Sequence, residues 1–338
     1  MNKGFSGSLV HPGSKVAGGR ASVVVEDLLD RCGFPEKGSA ITCAVSGGAD
    51  SLALMMLAHA WGCEVTAIHV DHCLRDGSSD EADVVADAAR DLGVCFVSRR
   101  VEVPAGPNLE ARARAARYSV LPPDVATGHT ADDQAETVLL NLLRGSGIDG
   151  LAAMRAGPRH PLLALRRSET VALCESMGLE PVQDPSNDDP SWTRNRVRHE
   201  LMPLCASIAR RDVVKVIARQ SSVLAEEAAF LDSQARAVDP TDARAVAQVP
   251  HVLARRTIRI WLRDALADGH PPSLAAVERV LKVARGEASA AEVSSGIRVR
   301  RSHWRLFIEH SLPAASQGVA RATLNSSASA VDSEAVAG

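Results

Sequence analysis

Between residues 40 and 145, short apolar runs alternate with stretches of helical period. The runs 40–45, 64–70, 94–98 and 124–127 have the length and composition of buried strands. The stretches 50–61, 79–92, 108–120 and 132–144 repeat apolar residues at the spacing of a helix. This alternation predicts an α/β fold, with a parallel sheet covered by helices on both faces and right-handed crossovers. Sheets of this kind bind ligands beyond the carboxyl ends of their strands. After Gly150 the pattern loosens. Pro158, Pro161, Pro181, Pro185, Pro190 and Pro203 punctuate 155–204, which predicts loops around one helix at 168–177. Residues 207–235 then predict a long helix, 251–267 and 273–285 two more, and 296–308 a closing strand. Residues 1–20 and 316–338 are rich in Gly, Ser and Ala and predict mobile tails.

Composition narrows the class. Of 338 residues, 46% are hydrophobic and 23% charged, as in ordinary globular chains, and a length of this order suggests two domains. Aromatic residues make up 3%, so the cores must be built from Ala, Val and Leu. No apolar run approaches the roughly 20 residues of a membrane helix, and the first residues lack the apolar core of a secretory signal. The seven cysteines show no C-x-x-C spacing, which disfavours a disulfide framework or a cysteine metal site and fits reduced thiols in the cytoplasm. The net charge of −3 advertises no polyanion partner. Its distribution is uneven, however. Residues 1–154 carry 13 basic against 20 acidic groups, and residues 205–315 carry 17 against 12. A basic second part can dock a polyanion, or its arginines can simply keep a helical surface solvated.

The most informative stretch is Ser46-Gly47-Gly48-Ala49-Asp50-Ser51, placed where the first strand ends and a helix begins. The glycines allow a tight turn and close approach of a ligand. Consecutive amides at a helix N-terminus form an anion site, to which the serines add hydroxyls. There is no Gly-Lys-Ser/Thr and no G-x-G-x-x-G, which excludes a Walker loop and disfavours a dinucleotide site. Asp50 at the mouth of a phosphate site makes sense if it holds Mg2+ or positions another group. The plain alternative is a βα turn whose Ser and Asp cap the helix.

This loop resembles that of the N-type ATP pyrophosphatases, the PP-loop proteins. Further stretches resemble one family within them, the tRNA(Ile)-lysidine synthetases. They are His69-Val70-Asp71-His72-Cys73-Leu74-Arg75, where Cys73 replaces a usual glycine, and Asn108-Leu109-Glu110 followed by Arg114, Arg117 and Tyr118. Next come Gly128-His129-Thr130-Ala131-Asp132-Asp133-Gln134-Ala135-Glu136-Thr137 and Leu142-Leu143-Arg144-Gly145-Ser146-Gly147. Last come Pro161-Leu162-Leu163 with Arg167 and Glu169, Asp184-Pro185-Ser186-Asn187-Asp188, and Arg194-Asn195 with Arg198 and Pro203. Read without the family, Thr130 and Asp133 can cap a helix, and Arg194 and Arg198 at i, i+4 can reach one anion. Asp132 and Asp133 are not separated by spacing, and Asp133 is favoured. One departure stands out. The loop before Pro161 is short, and His160 occupies a position that is often arginine in the family.

The resemblance implies a Rossmann-like doubly wound parallel sheet with a PP-loop over 21–204, then a smaller, mainly helical tRNA-binding domain over 205–315. It implies ATP as substrate with Mg2+, and as partners L-lysine and tRNA(Ile) with a CAU anticodon, whose wobble cytidine is adenylated and then converted to lysidine. Ser46, Gly47, Gly48, Ala49, Asp50, Ser51, Asp71, His72, Gly128 and His129 would bind the nucleotide. Asp50, Asp133, Arg114, Arg194 and Arg198 would be catalytic, with Asp50 and Asp133 facing each other across the strand ends, where they could share the metal or Asp133 could orient or deprotonate the lysine amine. The expected setting is cytoplasmic, with no membrane partner, and a homodimer is left open. Two rival readings are a tRNA thiolase on the same loop, which the absence of C-x-x-C disfavours, and a non-catalytic ATP-binding protein.

Overall fold

The structure, a computed structural model, describes residues 20–71, 78–104, 106, 109–182, 189–266, 272–294 and 296–310. His72, Cys73, Leu74, Arg75, Asn108 and the stretch 184–188 lie outside the described residues, as do 1–19 and 311–338. The chain begins with α1 (Arg20–Asp30), β1 (Ala40–Ala44), α2 (Ala49–Trp61), β2 (Glu64–Asp71), α3 (Ser78–Leu92) and β3 (Cys95–Arg100). It continues through α4 (Leu109–Ser119), β4 (Ala126–Thr127), α5 (Ala131–Leu143), α6 (Ile148–Leu151) and α7 (Arg167–Ser176). The four strands are all parallel, in the order β3-β2-β1-β4. The chain therefore winds outward from β1 to β3 and returns to the other side of β1 with β4. The reversal leaves a crevice at the carboxyl ends of β1 and β4, the place where such sheets take ligands.

Side-chain alternation explains the two covered faces. Ile41, Cys43, Val65 and Ala67 point into the larger core, built with Leu52, Leu54 and their neighbours on α2 and with residues of α1, α3 and α7. Ile68 and Val70, one step out of phase, point into a second core with Val101, Leu121 and Val125, against which Ala116 and Tyr118 of α4 pack. Within the first core α2 is buried along most of its length, Ser51 to Ala58, and it ends at Gly62 in the left-handed conformation, φ 96°.

One glycine locks the crevice shut at its base. A Cβ on Gly128 would lie 2.4 Å from the carbonyl oxygen of Asp50 and 3.0 Å from the amide of Ser51. The loop after β4 thus rests on the first turn of α2, and both obstacles are backbone. Gly128→Ala is expected to destabilise the protein by about 3 kcal/mol through forced displacement of that turn, read as a lower urea midpoint.

Farther along, α8 (Thr193–Arg196) passes through a π-helical turn, Val197–Leu201, into α9 (Met202–Ala209). After it come α10 (Val213–Arg236), α11 (Ala243–Gln248), α12 (His251–Ala265) and α13 (Leu274–Arg285). The helix predicted over 207–235 is interrupted at Arg210, which takes a left-handed conformation, φ 49°. The closing strand predicted over 296–308 is instead two strands, β6 (Ile297–Ser302) and β7 (Arg305–His310), in an antiparallel meander with β5 (Ala290–Ser294). The reversal falls on His303 and Trp304, with φ of 48° and 63°. Neither is the Gly or Asn that announces such a turn, which is why the pattern ran through it.

The chain divides into two compact units, 1–225 and 226–338. The second has its own core, in which Val246, Ile258, Leu262 and Val280 from α11–α13 meet Val299 and Leu306 of the meander. Among the described residues the cysteines are free, and no helix is long and apolar enough to cross a membrane.

Candidate active site

The loop between β1 and α2 is shaped by its own hydrogen bonds. The Ser46 amide donates to Ser51 Oγ at 3.1 Å, and Ser51 Oγ donates to the Gly48 carbonyl at 2.8 Å. The Ser51 hydroxyl is therefore engaged within the loop and folds it; Ser46, the more exposed of the two serines, has its own Oγ 3.3 Å from Ser51 Oγ. Gly47 sits at φ 88°, a conformation that needs glycine, and its carbonyl accepts from the Val182 amide at 3.0 Å. Gly48 occupies the cap position of α2 and brings no side chain to bond the amides of that turn. The positive end of the helix is thus presented at the crevice, as an anion requires.

Facing it, three carboxylates and three arginines form one network. Arg167, in the first turn of α7, donates from Nε to Asp50 Oδ2 (3.2 Å), from Nη2 to Asp133 Oδ1 (2.8 Å) and from Nη1 to Glu136 Oε1 (3.3 Å). Arg194 joins Asp133 (3.0 Å) and Glu136 (2.8 Å). Arg198 clasps Glu136 with Nε at 2.7 Å and Nη2 at 3.1 Å. Glu136 is the anchor: its side chain is only 2% exposed, whereas the arginines keep 23–29% of theirs in solvent. The expected convergence of Asp50 and Asp133 is realised through the guanidinium between them. The i, i+4 pair Arg194 and Arg198 does share one face, with the π-helical turn beginning between them.

The two neighbouring aspartates of α5 separate cleanly. Asp132 turns away and pairs with Arg166, Nε at 3.0 Å and Nη2 at 3.1 Å. Asp133 turns inward and also caps α5, accepting from the Thr130 amide at 2.9 Å and Thr130 Oγ1 at 3.0 Å. Capping and site roles thus fall on different oxygens of one carboxylate. Burial works to raise the Asp133 pKa, but Arg167 and Arg194 more than offset it and hold it below the usual range. For Asp50 burial prevails over Thr170 and Arg167, and its pKa is raised.

These donors bear on the expected magnesium. On Asp133 each oxygen already accepts two hydrogen bonds, which uses the lone pairs a carboxylate offers. Sharing a cation, or taking a proton, would require Arg167 or Arg194 to let go. On Asp50 each oxygen has one recorded side-chain partner, Thr170 for Oδ1 and Arg167 for Oδ2. Asp50 therefore fits a hard cation that also binds phosphate oxygens, and Asp133 does not. Among the described residues no three His, Cys, Asp or Glu side chains are grouped as metal ligands.

The other predicted residues are placed nearby or apart. His69 is buried, and its Nδ1 lies 2.9 Å from the Val45 carbonyl, a local bond that ties β2 to the end of β1. Asp71 is 8% exposed at the end of β2, 3.6 Å from Arg100. Arg114 is not in the carboxylate network. It lies over the Tyr118 ring at 4.9 Å, and its charge adds to burial, the larger cause, in lowering the pKa values of His129 and His160. His129 is pushed from 6.5 down to about 4, by burial above all. An imidazole with a depressed folded-state pKa stabilises fully above its unfolded value, and that stability is lost as pH falls toward the folded one. Between about pH 7 and about pH 4.5 the protein should therefore lose roughly 2 to 3 kcal/mol more than His129→Gln does, measured by chemical unfolding.

Three residues of the network carried no assigned role in the sequence: Arg167, Thr170 and Glu136. The signal available for Glu136 was its i, i+3 spacing from Asp133, which puts both on one face of α5.

The switch-point crevice and its uncapped glycine loop define a PP-loop protein, and the model of the PP-loop domain matches residues 21–205. Three curated relatives carry the name tRNA(Ile)-lysidine synthase. That of Rhodococcus erythropolis is 41% identical over 272 residues, 74% of this chain and 82% of its own. That of Nocardia farcinica is 41% identical over 76% of this chain and 86% of its own, and that of Mycobacterium leprae 39% over 76% and 85%. The chain belongs to the tRNA(Ile)-lysidine synthase family. Among solved structures, a U34-tRNA thiolase of Methanococcus maripaludis aligns with a TM-score of 0.48 at 18% identity, covering 61% of this chain and 79% of the other.

Proposed function

We propose that the chain ligates L-lysine to C2 of the wobble cytidine, position 34, of tRNA(Ile) with a CAU anticodon. In the first step cytosine O2 attacks the α-phosphorus of ATP, and the bond to the β-phosphate breaks with loss of pyrophosphate. In the second the ε-amine of lysine attacks C2, the C2–O2 bond breaks, AMP leaves with that oxygen, and the amine gives up a proton. The observation that supports this most is the pairing in one crevice of an uncapped helix N-terminus with three arginines fixed on a buried glutamate. The loop amides hold the triphosphate and offset charge on the leaving pyrophosphate. Arg167, Arg194 and Arg198 turn their solvent-facing edges toward the α-phosphate, while Asp133 and Glu136 keep them from straying. Arg114 stands on the His129 side, suited to the base, which must be swung out of the anticodon stack. Magnesium would be held by Asp50 and would supply positive charge at the phosphates. A cytoplasmic setting belongs to this reading, and a homodimer is compatible with it.

The tRNA itself is assigned to residues 205–315. In support, Trp304 is 45% exposed at the tip of the β6–β7 hairpin, with Arg244 and Arg301 guanidiniums at 4.7 and 4.8 Å from its ring. A groove of about 610 Å3 between α13 and β5 carries Arg279 and Lys282. Binding held by phosphate contacts of this kind should weaken about 100-fold or more between roughly 50 and 200 mM salt. Filter binding of tRNA against salt measures it, and a flat response would remove the assignment.

The deciding test is the mass of nucleosides from tRNA(Ile) incubated with the protein, ATP and lysine. Cytidine carrying a lysine substituent, with pyrophosphate released only when tRNA is present, is the expected result. Added sulfur would indicate the thiolase reading, and neither product nor pyrophosphate a binding protein.

A further inference from the structure

The short turn before Pro161 puts two imidazoles on one hydroxyl. Residues Gly157 and His160 close the turn, with the His160 amide donating to the Gly157 carbonyl at 2.9 Å. The turn is pinned to β4 by the Thr127 amide, which donates to the Arg159 carbonyl at 3.0 Å. Thr127 Oγ1, buried at the end of β4, then lies 2.6 Å from His129 Nδ1, 2.9 Å from His160 Nδ1 and 3.3 Å from the Arg159 carbonyl oxygen. The two rings meet edge to face, centroids 5.2 Å apart.

A hydroxyl has one proton and can satisfy one acceptor. If both Nδ1 atoms lacked a proton, one would face an oxygen lone pair unpartnered. At least one imidazole must therefore donate to Thr127. The distances divide the roles. The Arg159 carbonyl also competes for the hydroxyl proton, but at 3.3 Å it lies beyond the ordinary O–H donor distance and it already accepts the Thr127 amide at 3.0 Å. The 2.6 Å contact is of the length at which a hydroxyl donates, and 2.9 Å is the ordinary length of N–H to oxygen. We infer that His160 donates its Nδ1 proton to Thr127, that Thr127 donates to His129 Nδ1, and that this relay fixes His129 with its proton on Nε2 as a neutral donor to a substrate oxygen. Burial keeps the His129 ring uncharged near neutral pH, so the donor is an imidazole and not an imidazolium. His160 is thus a positioning residue that acts through another, in the way that the partner of one ring nitrogen sets the tautomer of the other. The last clause, the substrate oxygen, rests on the proposed function; the relay itself does not.

Imidazole nitrogen NMR on the full chain labelled with 15N-histidine, without nucleotide, tests the relay directly. The His129 signals are assigned by their loss in His129→Gln. The expected result is a proton on Nε2 of His129 in the unsubstituted protein. Thr127→Val and His160→Leu should shift a substantial population to the Nδ1-protonated form, and His160→Gln, which keeps a donor, should not. A proton on Nδ1 from the start, or a tautomer unmoved by both Thr127→Val and His160→Leu, overturns the relay. Pyrophosphate release tests the remaining clause. His160→Leu should lower kcat about 10- to 100-fold with KM for ATP little changed, and His160→Gln should restore most of it. A displaced tautomer with unchanged kcat overturns the role of His129 as donor. Absence of tRNA-dependent turnover in the unsubstituted protein is a failure of the proposed reaction, and the NMR result then still decides the relay.

Discussion

Glu136→Gln is expected to lower pyrophosphate release by more than about 100-fold and to destabilise the fold by about 2 to 3 kcal/mol. Glu136 is almost fully enclosed and accepts four hydrogen bonds from three guanidiniums. Glutamine keeps the shape but removes the charge, and it turns an amide donor toward an arginine. Breaking a buried ion pair from one side costs about 3 to 5 kcal/mol, and the partial exposure of the three arginines discounts that figure. The functional loss should be larger than the loss of stability suggests, because Arg167, Arg194 and Arg198 lose their common anchor together. Urea unfolding and single-turnover pyrophosphate release check the two halves. Ordinary values for both would mean that the arginines are organised by something else.

Asp50→Asn is expected to do the opposite to stability. Burial makes the Asp50 carboxylate costly in the folded state, as its raised pKa records. A group whose pKa rises on folding weakens the fold at pH values above it, so the neutral isostere should leave stability unchanged or slightly higher. Adenylation should nevertheless fall by about 1000-fold or more, since the residue that fits magnesium and steers Arg167 Nε has lost its charge. A stable, inactive protein is the signature sought in paired unfolding and pyrophosphate assays. Activity near that of the unsubstituted chain would remove Asp50 from the site.

Much of this centre could be read from the chain because its pieces are local. Ser46–Ser51 announces a strand-to-helix turn by composition, and Arg194 and Arg198 announce a shared face by spacing. Helices α2, α3, α4, α5 and α7 begin and end within a residue or two of where their period places them, whereas α1, α6, α8 and α9 are not anticipated. What escaped is set by distant partners. Glu136 reads as a glutamate in an amphipathic helix, normally solvated; only arginines from α7 and from α8 with its π-helical continuation bury it. Ser51 reads as a ligand donor, and the fold turns its hydroxyl inward. Asp132 and Asp133 are equivalent in composition and are told apart only once Arg166 and Arg167 stand on either side of them. In the second unit the hairpin turn at His303 and Trp304 carries no Gly or Asn, and Trp304 holds its place between two arginines instead.

The arrangement on α5 also dictates where the gene can change length. Each helical residue advances the azimuth by about 100°, so one codon inserted between those for Thr130 and Glu136 would swing the glutamate away from its arginines while leaving Thr130 in place. This stretch should tolerate substitution at some positions but no insertion or deletion at any. Homologous chains should therefore differ in length elsewhere, outside these seven codons.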